Sequence, residues 1–74
     1  MSLLQMLEND VVSIDAIRAS GALKERLSSF GITAQSEVQV KRFGLFKSTV
    51  QIMVNRSLIA LRKNEANLIE VHKI

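Results

Sequence analysis

The sequence predicts a mainly β fold. It is a small barrel of about five short strands, with one α-helix inserted at residues 22–30 and a short helix at the N-terminus. Three observations lead there. From Ser36 onward apolar residues recur with a period of two, as in Val38/Val40 and again in Val50/Ile52/Val54. Tight-turn residues separate the apolar runs, notably Asn55-Arg56, because Asn tolerates a positive φ better than most residues. Only one stretch, ending at Gly31, has clear helical spacing. Short antiparallel strands must hide their edges, and closing into a barrel hides them most completely.

Taken in order, Ser2 and Gln5 stand at capping-box spacing, and Leu3, Leu4, Met6 and Leu7 follow over one or two turns. Asn9-Asp10 breaks that pattern. Val11 to Ala19 has β-like composition, with Val12 and Ile14 alternating against Val11, Ser13 and Asp15 and a bulge or bend near Ile17. After Ser20-Gly21, Leu23, Leu27 and Phe30 share one helix face, with Lys24, Glu25, Ser28 and Ser29 on the other. Gly31 falls where a left-handed C′ residue is wanted, and Ile32 at C″ can then touch Leu27 at C3. Beyond the two alternating strands, Leu58-Ile59-Ala60-Leu61 predicts a strand that is apolar on both faces. Lys63-Asn64-Glu65-Ala66 reads as one helical turn and Leu68 to His72 as a closing strand.

With 74 residues the chain is expected to be a single domain, 1–74, with little room to enclose a substrate. It has no cysteine, so disulfides, thiolate metal sites and thiol nucleophiles are excluded. Its +3 formal charge admits an acidic protein, an anionic membrane or nucleic acid without selecting among them. No apolar run approaches the ~18 residues that span a bilayer. Glu8-Asn9-Asp10 ends the opening apolar stretch too early for an export signal, so a cytoplasmic location is expected. A phosphate loop and a nucleophile elbow are both absent, and the seven carboxylates are scattered, so no enzyme activity, catalytic residue or cofactor is expected.

Two residue groups draw a functional reading from their chemistry alone. Leu45 and Phe46 lie beside Gly44 and Lys47 in a loop between strands; exposed, they make an apolar anchor with a basic rim. The competing reading has one ring, Phe43 above all, plugging the barrel end. His72 is the only histidine and shares a strand face with Glu70. Two ligands do not make a tight ferrous site. No stable metal site is expected in the monomer, and only weak binding at a site shared between subunits stays open. Lys41, Arg42, Lys47, Arg56, Arg62 and Lys63 could gather into a phosphate-binding surface, which makes a small nucleic-acid-binding barrel the alternative function. The absence of Tyr and Trp weighs against it, because such barrels stack bases on aromatic rings. Exposed apolar residues also leave weak self-association open.

Several motifs occur together in one order. The run from Gly21 to Ile32, Gly-Ala-Leu-Lys-Glu-Arg-Leu-Ser-Ser-Phe-Gly-Ile, resembles the helix motif of the FeoA family. Ile59 to Ala66, Ile-Ala-Leu-Arg-Lys-Asn-Glu-Ala, resembles its later motif, and Leu68-Ile69-Glu70-Val71 its closing strand. Leu3-Leu4 to Leu7 is similar to its opening. The resemblance covers essentially the whole chain. It implies an SH3-like barrel, related to the C-terminal domain of DtxR-type repressors. It also implies a stand-alone accessory protein of ferrous-iron transport, which acts by contact with the cytoplasmic GTP-binding part of the FeoB-type permease at the inner face of the membrane. Arg26 and Arg62 are the residues most typical of the two motifs; as partner-binding candidates they would meet an acidic surface, and otherwise they pair with carboxylates such as Glu65. Ala34-Gln35 replaces the family's usual Pro-Gly, and Phe43 to Ser48 lacks the proline and aspartate common in its central loop. The candidacy of Leu45, Phe46 and Lys47 therefore rests on their own chemistry.

Overall fold

The computed structural model describes all 74 residues. A single 3₁₀ turn, Leu3–Gln5, leads into β1 (Val11–Ile17), α1 (Gly21–Ser29) and β2 (Glu37–Phe43). A second 3₁₀ turn, Leu45–Lys47, precedes β3 (Thr49–Val54) and β4 (Ser57–Arg62); α2 (Lys63–Ala66) and β5 (Ile69–Lys73) complete the chain. All strand pairings are antiparallel, in the order β4-β3-β2-β1-β5. Overall extents of 27 × 24 × 23 Å show the sheet curled around its core, since a flat five-stranded sheet would be far thinner in one direction.

The period-two reading places the core correctly. Val12 and Ile14, Val38 and Val40, Val50, Ile52 and Val54, and Ile69 and Val71 all point inward and are buried. Leu3, Met6, Leu27, Ile32, Leu61 and Ala66 complete an interior that contains no polar side chain. β1 is bulged between Ile14 and Ala16, slightly before the bend expected near Ile17, and β2 between Val40 and Arg42. Such bulges increase twist and help a short sheet to curl.

The end of α1 is closed by the expected Schellman motif. Phe30 is the C-cap, and Gly31 at C′ has φ +88°. The Gly31 N–H donates to Ser28 O at 2.9 Å and the Ile32 N–H to Leu27 O at 3.0 Å. Leu27 and Ile32 are both fully buried, so the hydrophobic contact of that motif is a piece of the core. Phe30 differs from its expected place on the buried face. As the C-cap residue it stands at the rim and is 40% exposed.

Other expectations are corrected by topology. The N-terminal helix is one 3₁₀ turn; Ser2 and Gln5 form the capping box, but Leu7 falls outside and is exposed. β4 is apolar on both faces, as expected, but only one of them is covered. Pleating turns Leu61 to the core beside Val50 and Leu58 to the opposite, uncovered face, where it is 53% exposed. The barrel also stays open, for β4 and β5 are the two ends of the ladder and do not pair with each other. The outer edge of β5 is covered by the N-terminus. The Val71 N–H donates to Met1 O at 2.6 Å, and Ser2 bridges to Glu70. The outer edge of β4 has no such cover.

A candidate docking face

The loop from Gly44 to Thr49 is closed at its base, where the Gly44 N–H donates to Thr49 O at 2.8 Å. A Cβ at Gly44 would meet Thr49 Oγ1, so a larger residue there would push the exposed Thr49 hydroxyl to another rotamer. Within the loop the Lys47 N–H donates to Gly44 O and the Ser48 N–H to Leu45 O. This tight winding is possible only because Phe46 (φ 56°, ψ 27°) and Lys47 (φ 57°) adopt left-handed backbone. For residues with a Cβ that conformation costs roughly 1–2 kcal/mol each. Its result is specific: Leu45 is 78% exposed and Phe46 87% exposed, the two most exposed large apolar side chains in the chain.

Lys47 turns the other way. Its Nζ donates to Leu4 O at 2.9 Å and lies 4.7 Å from the centre of the Phe43 ring. It ties the loop to the N-terminal turn and contributes little to a rim around Phe46. Phe43 is half-buried against the core and ends β2. The plug and the exposed anchor are thus both present, divided between different residues.

Arg26 and Arg62 are brought to one carboxylate. Arg26 on α1 pairs with Glu65 Oε2 at 2.8 Å, and the Arg62 N–H donates to Glu65 Oε1 at 2.9 Å. The Glu65 side chain is only 12% exposed, and it joins α1 to the start of α2. The Arg62 guanidinium has no carboxylate partner, and neither has the Lys63 ammonium. Both line an open groove of about 670 Å³ with Leu4, Ser48, Thr49, Asn64 and Asn67. No carboxylate lines it. It lies at the ends of β3 and β4, immediately after the Leu45–Phe46 tip.

The groove was not singled out from the sequence, although a signal for it is there. Residues 38–64 contain six Lys or Arg and no Asp or Glu. The acidic groups lie elsewhere: Asp10 pairs with Lys73, and Glu70 with Arg18 and the N-terminal ammonium. His72 Nδ1 is 2.5 Å from Asp15 Oδ1, Asp15 being the residue at the β1 bulge, while Glu70 is engaged in its own ion pairs. No three His, Cys, Asp or Glu side chains are grouped closely enough to hold a metal ion. No helix is long and apolar enough to cross a membrane.

The FeoA domain family model matches residues 1–73. The solution structure of FeoA from Chlorobium tepidum has a TM-score of 0.92 and 27% identity, covering 100% of this chain and 70% of that one. The iron(II) transport protein A of Clostridium thermocellum has a TM-score of 0.93 and 27% identity over 100% of this chain, which spans only 46% of that structure. A manganese-dependent transcriptional repressor shares the fold at a TM-score of 0.89 and 18% identity, over 36% of its length. No curated protein matches the chain. The fold is the SH3-like one that the resemblance implied. With a family model spanning all but the last residue and a FeoA structure superposing over the full chain, this protein belongs to the FeoA family.

Proposed function

We propose that the chain is an accessory, regulatory protein of ferrous-iron transport that performs no chemistry itself. It acts by docking on the cytoplasmic GTP-binding part of a FeoB-type permease, and therefore in the cytoplasm. Family membership supports the link to iron transport. The single observation behind docking is the Leu45–Phe46 tip, two large apolar side chains held in solvent by backbone that costs energy to maintain. Strain of that kind at an exposed position is typical of a binding element. Leu45 and Phe46 enter the partner, Arg62 contributes charge beside them, Lys47 braces the tip from behind, and Arg26 sets the position of α2 through Glu65.

A two-dimensional amide NMR titration with the purified cytoplasmic domain of the transporter, nucleotide-free and with GTP analogue or GDP, tests this. Shifts concentrated at residues 43–48 and near Arg62 and dependent on nucleotide are expected. Absence of shifts in all three states at high concentration would overturn the reading. The carboxylate-free stretch at residues 38–64 favours a nucleic-acid surface as the second reading. It requires binding that weakens steeply with salt, and no binding at ~50 mM salt removes it.

A further inference from the structure

We propose that the free edge of β4, with the basic groove at its end, binds an extended acidic segment of a partner protein as an added sixth strand. The proposal rests on the reading of this chain as a docking module, but not on the identity of the transporter.

The edge is defined by the hairpin register. Val54 pairs with Ser57, Ile52 with Ile59 and Val50 with Leu61, across a two-residue turn. In such a hairpin Ser57, Ile59 and Leu61 exchange hydrogen bonds with β3, and the alternate residues point away. The sequel agrees, since Lys63 N–H donates to Ser48 O while the Arg62 N–H turns outward to Glu65. The N–H and C=O groups of Leu58 and Ala60 therefore face the side where the sheet has no further strand. The core is also open there: Ile59 is only half-buried, although its partner Ile52 is fully buried. An added strand satisfies the main-chain groups and covers Ile59 with every second side chain.

Charge selects the occupant. Arg56 stands at one end of this edge, Arg62 and Lys63 at the other, and no carboxylate occurs between Glu37 and Glu65. A strand with acidic side chains on its outer face and apolar ones on its inner face fits both. A second copy of this chain fits poorly. Pairing Leu58 with Ala60 of another copy sets Arg56 opposite Arg62 at both ends, between two chains of net charge +3. Nucleic acid would use the same cations, but β4 itself carries no aromatic residue, and the one freely exposed ring, Phe46, stands on the loop beyond the groove, too few for a row of stacked bases.

The test uses the full chain and an amidated nine-residue peptide of alternating Glu and Val, with a Lys/Val peptide as control. The acidic peptide is expected to slow solvent exchange at the Leu58 and Ala60 amides and to shift Arg62 and Lys63, while the basic one does neither. R62Q/K63Q should weaken binding at least tenfold. Ala60→Pro removes one outward N–H, a change that edge strands tolerate, and should abolish the protection; if that variant fails to fold, the exchange data and R62Q/K63Q still decide. Shifts without slowed exchange at Leu58 and Ala60, or equal binding of both peptides, would overturn the proposal. So would protection that rises with protein concentration in the absence of peptide, which identifies a second copy as the occupant, or tighter competition by a single-stranded oligonucleotide. Peptide binding with no response to the transporter domain would uphold this inference and defeat the transporter reading instead.

Discussion

Arg26 and Glu65, 39 residues apart in sequence, meet at 2.8 Å and link the only long helix to the short one between β4 and β5. The two halves of this pair are unequal. Arg26 is half exposed, so the pair itself contributes about 0.2–1 kcal/mol. Glu65 also caps the Arg62 N–H, a contact of the kind that contributes ~1 kcal/mol. Glu65→Ala should therefore lower the unfolding midpoint clearly more than Arg26→Ala, measured side by side by circular dichroism. Equal losses would mean that the cap contributes nothing.

At the loop tip, stability and docking should separate. L45S/F46S removes side chains that touch little of the fold, so the change in stability should stay within about 0.5 kcal/mol while docking is lost. A large fall in the midpoint would show the two residues to be core after all.

Phe46→Gly adds a sharper version of that test. Gly adopts φ 56° without the Cβ penalty, so the variant should gain up to ~1 kcal/mol and unfold several degrees higher. Docking should nevertheless weaken, because the ring is gone. A variant that is more stable and binds worse would demonstrate strain maintained for function.

Gly31→Ala should be strongly destabilising. At φ +88° a Cβ is strained, and it would stand 3.2 Å from Asn55 Nδ2 and 3.4 Å from Val54 Cγ1. Loss of roughly 1–2 kcal/mol is expected, read from urea unfolding with an unchanged m-value. A neutral result would require α1 to end without its left-handed residue.

Lys47→Met keeps the stem over Phe43 but deletes the donor to Leu4 O. The amides of residues 44–48 should then exchange faster with solvent than those of β3, while the core signals stay in place. Unchanged exchange would show that backbone hydrogen bonds alone fix the loop.

The legible parts of this fold were those decided by neighbours in sequence. Gly31 and Ile32 announce the helix end because the motif is local, and Val50, Ile52 and Val54 announce a strand because pleating alone sets their direction. What sequence could not reach depended on position within the sheet. Leu58 is as apolar as Leu61, yet it is exposed because nothing packs on the outer face of β4 to which it points. Lys47 looks like the natural rim of an apolar loop, but a left-handed backbone at Phe46 and Lys47 sends the two side chains to different places. From sequence Arg26 fits both a partner contact and an ion pair with Glu65, and only the juxtaposition of α1 and α2 brings it to that carboxylate. The groove's neutral lining, Ser48, Thr49, Asn64 and Asn67, comes from two loops whose proximity no local pattern encodes.

The interior contains no hydrogen-bonding or ionisable side chain. A core without polar groups contains no buried hydrogen-bond or ion-pair network that could be exchanged between two arrangements. If the chain docks as proposed, it does so as a nearly rigid body, with adjustment expected at the short loop and the open sheet edge. A shape change that accompanies such docking is then expected on the partner's side of the contact.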